Sequence, residues 1–199
     1  NEDNMKDKFL ESINVKQSIV ENGELSKLKL IGDQCVDSIL SGGKMLFCGN
    51  GGSAADAQHL VAEMLIRLRP RFNRESVPAL TLAQDISTLT ACGNDYSFDL
   101  IFSRVLESIG KRNDALIGIT TSGNSKNIIN AMKKAKEMEI KVFGFLGNEG
   151  GAAIDLCDEY FLVPSNNTAR IQESHITAGH VLMEYIEDIL IEKNFLNLK

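Results

Sequence analysis

The sequence predicts an α/β fold, a doubly wound sheet of five parallel strands with helices on both faces. Two observations lead to this prediction. Short runs rich in apolar and β-branched residues alternate with longer stretches of helical periodicity. These short runs are also nearly continuous in apolar residues, as strands covered on both faces of a parallel sheet are. We expect the flavodoxin-like strand order 2-1-3-4-5, with ligands bound at the carboxyl ends of the strands.

The elements follow in order along the chain. Residues 1–42 read as helical, and Gly42 and Gly43 end this segment as a C-cap does. We expect it to pack on the core or on other subunits. Strands are predicted at 44–48, 79–82, 115–120, 141–146 and 159–163, and helices at 54–67, 98–109, 125–137, 152–156 and 171–193. The sequence shows no linker or repeat, so we expect residues 1–199 to form one domain.

Composition limits the classes of function. The net charge of −6 argues against a sequence-independent nucleic-acid partner, which needs a basic surface. No apolar stretch approaches the ~20 residues that span a bilayer, so we expect no membrane partner. An acidic start with no apolar region after it predicts no secretory signal. The four cysteines form no CxxC pair and are interpreted as reduced, buried, small apolar residues: Cys35, Cys48, Cys92 and Cys157.

The segment Gly-Asn-Gly-Gly-Ser at 49–53 follows the first strand and opens a helix. Its backbone N–H groups and the helix dipole favour an anion such as phosphate. The segment also matches G-x-G-x-x-A, but a dinucleotide site needs an acidic residue ~20 positions further on. The nearest candidate, Asp85, lies 36 residues after Gly49. A nucleotide-triphosphate loop is excluded because GxxxxGK[ST] is absent.

A second polar loop, Thr-Thr-Ser-Gly-Asn-Ser at 120–125, joins the third strand to the next helix. Ser125 is placed as a helix N-cap, which is its ordinary structural role. Four hydroxyls within six residues at the ligand edge go beyond capping and favour a phosphate or a sugar. With the strand order 2-1-3-4-5, this loop and the first one would flank a single crevice.

Four charged or polar residues recur on the helix after the first loop: Asp56, His59, Glu63 and Arg67. Such a stripe is often a solvated face with salt bridges. Because this one starts beside the first loop, His59 and Glu63 could instead share a metal or act as a base and its orienting group. The combination suggests an enzyme that acts on a phosphorylated small molecule. Two further histidines, His175 and His180, lie on the final helix.

Four segments then carry a resemblance to a known family: CGNGGSAADAQHLVAE at 48–63, ACGNDYSFDLIFSR at 91–104, ITTSGNS at 119–125 and RIQESHITAGH at 170–180. With them the chain resembles the bacterial phosphoheptose isomerases of the SIS sugar-isomerase fold. TSGNS alone marks SIS domains in general. The pattern HxxxE, together with RIQExH and a histidine eight residues after the glutamine, is more specific.

The resemblance implies roles for individual residues. Glu63 would move a proton between C1 and C2 of sedoheptulose 7-phosphate through an enediol, with His180 as its acid partner. Zinc would be held by His59, Glu63, Gln172 and His180. With the remaining loop residues included, the predicted substrate-binding set is Asn50, Gly51, Gly52, Ser53, Glu63, Arg67, Asn94, Asp95, Thr120, Thr121, Ser122, Ser125 and Gln172.

The resemblance also implies a cytoplasmic homotetramer with sites at subunit interfaces, which supplies heptose for lipopolysaccharide or capsule. Gln172 and His180 would lie ~12 Å apart along one α-helix, too far for a shared zinc ion. Either the helix starts after Gln172, or the two side chains come from different protomers, which we favour.

Three alternatives stay open on the sequence. One is a non-enzymatic SIS protein that binds the replication initiator or senses sugar phosphates. Another is an isomerase or deaminase of hexosamine phosphates. The third is a structural zinc protein without turnover.

Overall fold

A computed structural model of the chain describes residues 1–83 and 85–198, and its elements are as follows. The helices are α1 (Glu2–Glu21), α2 (Glu24–Leu40), α3 (Gly52–Leu65), α4 (Ile86–Asp95), α5 (Ile101–Ile109), α6 (Lys126–Glu137) and α7 (Thr168–Glu192), with 3₁₀ turns at Phe98–Leu100 and Gly151–Leu156. The strands are β1 (Met45–Gly49), β2 (Ala79–Thr81), β3 (Ala115–Thr120), β4 (Lys141–Leu146) and β5 (Glu159–Leu162).

The five strands form one sheet in the order β2-β1-β3-β4-β5, and every neighbouring pair is parallel. The predicted fold class and strand order are therefore confirmed. Gly49, the last residue of β1, pairs with Ile119 near the end of β3. This register brings the two polar loops to the same edge of the sheet, where parallel α/β folds bind ligands.

Alternate residues of the central strands enter two apolar clusters on opposite faces of the sheet. On one face, Phe47 and Phe145 pack with residues of α1, α2, α3 and α7. On the other face, Leu46 and Leu116 pack with residues of α5 and α6. Strands buried on both sides explain why the sequence runs were continuously apolar.

The helical segment 1–42 was predicted correctly, and it consists of two helices with Gly23 at φ +87° between α1 and α2. Several other predicted boundaries were wrong. Helix α4 was not predicted. Helix α3 ends at Leu65, so Arg67 lies beyond it, and α7 begins at Thr168 rather than at 171. The predicted helices at 98–109 and 152–156 contain 3₁₀ turns.

The C-cap at the end of α2 was predicted correctly. Gly42 has φ +83°, and its N–H donates to the carbonyl of Ile39 while the N–H of Gly43 donates to that of Ser38. This is the Schellman arrangement, which satisfies the last carbonyls of a helix. Among the described residues, no helix is long and apolar enough to span a membrane.

All four cysteines are free thiols, three buried and Cys157 half-buried. Burial raises the pKa of the Cys35 and Cys48 thiols to about 12. At neutral pH they are protonated and unreactive, which agrees with their interpretation as packing residues.

Candidate active site

Helices α3 and α7 bring two imidazoles and a carboxylate together. His59 and Glu63 lie one turn apart on α3, with Nε2 and Oε1 3.0 Å apart. His180 reaches the same place from α7, with its Nε2 2.9 Å from that of His59 and 3.5 Å from Glu63 Oε1. The approach of the helices is close because Gly179 leaves no Cβ, which would lie 2.7 Å from Leu60 Cδ1.

These three side chains fit a divalent metal ion. Their ligand atoms all lie within 4.8 Å of one another. Ligand atoms ~2.1 Å from a tetrahedral ion lie ~3.4 Å apart, close to the three measured separations. In addition, Glu63 Oε2 is buried without a hydrogen-bond partner in the described part of the chain. A buried carboxylate oxygen costs free energy unless it is paired, and a cation would supply the missing partner.

Gln172 belongs to the same helix pair but lies nearer the first loop. Its Nε2 donates to Asp56 Oδ1 at 2.7 Å, and its side chain lies over Gly52. The second N–H of this amide and its carbonyl oxygen are left for a ligand, and the oxygen is the atom that a metal ion would bind. Since α7 begins at Thr168, Gln172 is inside the helix, and the less favoured of the two alternatives, a helix that starts after Gln172, is excluded.

Asp56 is buried, which contradicts the interpretation of the stripe as a solvated face. Burial raises the pKa of its carboxyl group, and the hydrogen bond from Gln172 opposes that rise. Its Oδ2 has no hydrogen-bond partner among the residues described. The role of Asp56 in orienting Gln172 was not predicted from the sequence, which gave only its helical spacing.

The first loop has the backbone geometry of an anion site. Gly51 adopts φ +56°, and a Cβ on Gly49 would lie 2.5 Å from the carbonyl oxygen of Ser53. Gly51 is the N-cap of α3 and offers no side chain to the helix N–H groups. The N–H of Ser53 donates to the carbonyl of Asn50 and that of Ala55 to the carbonyl of Gly51, so within the described structure those of Gly52 and Ala54 remain for a ligand. Gly52 is exposed at this end, whereas Ser53 is buried.

In the second loop the hydroxyls divide into two kinds. Thr120 is buried, and its Oγ1 lies 3.0 Å from Ser125 Oγ and accepts from the N–H of Gly123. Ser125 is the N-cap residue of α6 as predicted, but its side chain makes no capping hydrogen bond within the described structure. Thr121 is half-buried and Ser122 exposed. These two hydroxyls and the start of α6 are therefore available to a phosphate.

A pair of amides joins the two loops. Asn50 Nδ2 donates to Asn127 Oδ1 at 2.8 Å, and Asn127 Nδ2 donates back to Asn50 Oδ1 at 2.9 Å. Asn127 is in the first turn of α6 and is 2% exposed. The sequence gave no signal for this partner, because nothing local links two positions 77 residues apart.

Three predicted binding residues make no hydrogen bond with either loop of their own chain in the part that the structure describes. Asn94 and Asp95 are exposed at the end of α4, and the amide of Asn94 donates to the carboxylate of Asp95 at 2.8 Å. No hydrogen bond within the described structure links them to either loop. Arg67 is exposed and donates to the carbonyl of Pro70 at 2.9 Å. It follows α3, at the end opposite the first loop.

His175 lies in the interior beside the site. It is 1% exposed, and its Nε2 lies 2.8 Å from the carbonyl oxygen of Leu146 at the end of β4. Burial lowers the pKa of His175 to about 4, although the hydrogen bond to Leu146 opposes the shift. The neutral imidazole connects α7 to the sheet, which is a structural role that the sequence alone had left open.

Comparison with known proteins identifies the family to which this chain belongs. The model of the SIS domain family matches residues 8–147, so the chain belongs to the SIS domain proteins. The phosphoheptose isomerase of Paramagnetospirillum magneticum is 54% identical over 155 residues, which are 78% of this chain and 80% of the relative. That of Aneurinibacillus thermoaerophilus is 43% identical over 198 residues, 99% of each chain. Within the SIS domain proteins, the chain belongs to the phosphoheptose isomerase family and is an isomerase.

A solved structure agrees with this placement. Phosphoheptose isomerase GmhA from Neisseria gonorrhoeae has a TM-score of 0.88 and 38% identity to this chain, and the match covers 94% of this chain and 98% of that one. The likeness includes the flanking helices as well as the sheet, because nearly the whole of both chains superimposes.

Proposed function

We propose that the chain converts D-sedoheptulose 7-phosphate into D-glycero-D-manno-heptose 7-phosphate, for nucleotide-activated heptose that enters lipopolysaccharide or capsule. The observation that carries the proposal is the meeting of the Glu63 carboxylate and the His180 imidazole, 3.5 Å apart, in a member of the phosphoheptose isomerase family. Aldose–ketose isomerisation needs a base for the carbon acid and a second group that moves a proton at oxygen, and these two side chains supply both.

In this proposal Glu63 removes a proton from C1 of the ketose, and the electron pair forms the C1–C2 double bond of an enediol. His180 donates a proton to O2 as the carbonyl becomes a hydroxyl. Glu63 then returns its proton to C2 while the hydroxyl on O1 loses its own to His180, so the side chains end as they began. A carboxylate can collect and return the same proton because it lies over both carbons.

The two loops would bind the phosphate end of the sugar. Support comes from the α3 N-terminus, the hydroxyls of Thr121 and Ser122, and the start of α6, all at one edge of the sheet. Binding energy from this unreactive end can be used to orient C1 and C2 at Glu63. Gln172, which lies over Gly52, would contact the sugar between the two ends.

Zinc is the cofactor that we propose for the cluster of His59, Glu63 and His180, with Gln172 as a further ligand from another protomer. The nitrogen and carboxylate donors and the unpaired oxygen of Glu63 support it. A bound zinc ion would polarise the sugar oxygens as a Lewis acid.

The assembly that we propose is a cytoplasmic homotetramer of single-domain subunits with shared sites. One sheet with apolar clusters on both faces supports a single domain. Apolar side chains left exposed on α1, such as Phe9, support self-association. Shared sites would also give a role to Arg67, Asn94 and Asp95, which make no hydrogen bond with the loops of their own chain in the described structure. Free thiols agree with a reducing compartment.

Replacing Glu63 by Gln tests the proposed base. The amide keeps the shape of the carboxylate but cannot accept the proton, so we expect kcat on sedoheptulose 7-phosphate to fall by ~10²–10⁴-fold. The matched control is Glu184→Gln, which removes a charge from an exposed position one turn after His180.

Turnover is measured as formation of the aldoheptose. The oligomeric state is measured as the mass in solution, and the fold by circular dichroism. Near-full activity of Glu63→Gln would show that the base is another group. If the wild-type protein isomerised a hexosamine phosphate and not the heptulose, the proposed substrate would be wrong.

A further inference from the structure

Arg74 lies in the segment between α3 and β2, away from the cluster, yet its guanidinium contacts both helices that build it. Its Nη2 donates to the carbonyl of Glu63 at 2.9 Å, and its Nη1 donates to that of Met64 at 3.0 Å. Its Nε donates to Glu187 Oε2, on α7, at 2.6 Å. The side chain of Arg74 is 1% exposed and that of Glu187 is 0% exposed, so water does not screen this ion pair.

The contacts to α3 fall where a helix is weakest. The last four carbonyls of an α-helix have no partner within it, and an unsupported final turn frays. Helix α3 ends at Leu65, so the backbone of Glu63 belongs to this last turn. Arg74 supplies hydrogen bonds to two of these carbonyls, and its positive charge also suits the negative end of the helix dipole.

The contact to α7 lies on the face that carries His180. Glu187 follows His180 by seven residues, which is two turns or ~10.5 Å along the same face; His180 contacts Glu63 of α3, and Glu187 contacts Arg74 in the segment after α3. Two links therefore join the C-terminal half of α3 to α7, in addition to the bond from Gln172 to Asp56 nearer the first loop. One is the cluster of side-chain contacts that His180 makes with His59 and Glu63, and the other is the chain of bonds from the carbonyl of Glu63 through Arg74 to Glu187.

We propose that Arg74 is a positioning residue of the isomerisation site. Its guanidinium fixes the last turn of α3 against α7, so that the Glu63 carboxylate stays beside His180 in the geometry that metal binding and proton transfer require. This inference rests on the function proposed above and adds to it a residue that touches neither substrate nor metal.

Lysine could not do the same. The guanidinium is a planar fork whose donors point in fixed directions, and here three of its nitrogens bond acceptors on two helices and in one loop. An ammonium group is a single charged point that would keep the attraction to Glu187 and lose the simultaneous bonds to the two carbonyls.

Arg69 offers a matched control on the same carboxylate. Its Nε donates to Glu187 Oε1 at 2.7 Å, and its Nη2 donates to Asp188. All hydrogen bonds of its side chain in the described structure go to α7, and none goes to α3. Arg69→Lys therefore disturbs the same buried charge without releasing the end of α3.

The experiment compares the full-length wild type, Arg74→Lys and Arg69→Lys as purified assemblies. Zinc affinity is measured by competition with a chromogenic chelator, and amide exchange of the last turn of α3 is measured on the metal-free proteins. We expect Arg74→Lys to bind zinc 10–100-fold more weakly, the range found when groups that support metal ligands are lost. Its α3 amides should exchange faster, kcat should fall, and KM should change less than kcat. Arg69→Lys should stay within about twofold of wild type in zinc affinity.

Two results would overturn the proposal: wild-type zinc affinity and amide exchange in Arg74→Lys, or equal losses in both variants, which would mean that Glu187 only needs charge neutralisation. Should Arg74→Lys fail to fold, the pair Arg74→Met with Glu187→Met replaces the ion pair by apolar side chains, which folded proteins commonly tolerate. Weak zinc binding by this double variant supports a positioning role, and wild-type affinity refutes it.

Failure of the proposed function would look different. A wild-type protein that bound zinc but did not isomerise sedoheptulose 7-phosphate would refute the substrate, while zinc affinities and amide exchange would still decide the role of Arg74. If the wild type bound no zinc, amide exchange at the end of α3 would by itself decide whether Arg74 is a positioning residue.

Discussion

Single polar atoms in the interior of this molecule affect how its stability depends on pH. His175 is the clearest case, because its Nε2 bonds the carbonyl of Leu146 while its Nδ1 is buried without a partner among the described residues. A carbonyl accepts, so Nε2 carries the proton and Nδ1 is bare. Protonating Nδ1 would place a charge and an unpaired donor in the core, which explains the low pKa of about 4.

This shift predicts a loss of stability in acid. Between the folded pKa of about 4 and the ordinary value of 6.5, the unfolded chain binds a proton at His175 that the folded chain does not. Stability from this residue is therefore complete above pH ~6.5 and falls as the pH drops toward ~4, by on the order of 3 kcal/mol in total.

The free energy of unfolding in urea, measured for the wild type and for His175→Gln between pH 7 and 4.5, tests this prediction. Glutamine keeps a donor for the carbonyl of Leu146 but does not titrate. The variant should therefore lose less stability than the wild type as the pH falls. Parallel pH dependences of the two unfolding free energies would show that His175 is not responsible.

Whether the contacts of a single residue could be predicted from the sequence depended on how near its partner lies along the chain. His59 and Glu63 are one turn apart, so their shared face followed from spacing, and His180 followed from a family resemblance. Asp56 was placed on the right helix, but its burial and its bond to Gln172 depend on how α7 packs. The contact of Asn127 could not be predicted, because its partner Asn50 lies 77 residues away, in the loop after a different strand.

Among elements, the two polar loops are joined by the reciprocal amide pair of Asn50 and Asn127. The pair fixes the start of α6 relative to the first loop, so the backbone donors of both loops keep one geometry. Such a fixed arrangement would avoid an entropic cost in the phosphate binding that we propose.

Asn127→Asp should therefore weaken substrate binding. The carboxylate cannot donate to Asn50 Oδ1, and because Asn127 is 2% exposed, it places a buried negative charge beside the proposed phosphate site. We expect KM for the sugar phosphate to rise by ~10-fold or more, about 1.4 kcal/mol, with a smaller effect on kcat. Asn113→Asp is the control, since that amide also donates one hydrogen bond but lies at the opposite end of the sheet. An unchanged KM in Asn127→Asp would mean that the pair does not shape the site.

Elements were predicted correctly where burial requires an apolar composition. They were missed where the local composition does not favour the structure that forms. All five strands were found because a strand covered on both faces must be apolar along its length. Helix α4 was missed because Ile86–Asp95 is rich in threonine, serine and glycine, which are poor helix formers. Its start is stabilised by Asp85, whose Oδ1 accepts from the N–H of Thr88 at 2.8 Å.

The whole molecule exposes more apolar surface on α1 than a monomer needs. Met5, Phe9 and Ile13 follow each other at helical spacing and are 66%, 74% and 58% exposed. Side chains at i, i+4 and i+8 form one stripe along the helix. A stripe of large apolar side chains on a surface helix marks a contact with another protein surface, and the proposed tetramer provides one in further copies of this chain.

Phe9→Glu tests this at the scale of the assembly. A carboxylate in a dry subunit contact costs free energy, so we expect the mass in solution, measured by light scattering, to fall below that of the wild type. Activity should fall with it, because the proposed sites take residues from more than one protomer. Phe9→Met is the matched control, since it keeps an apolar side chain and should keep both mass and activity. If Phe9→Glu retained the wild-type mass, α1 would not be the contact. If it lost mass but kept full turnover, each subunit would hold a complete site, and Gln172 would not be a ligand supplied from another protomer.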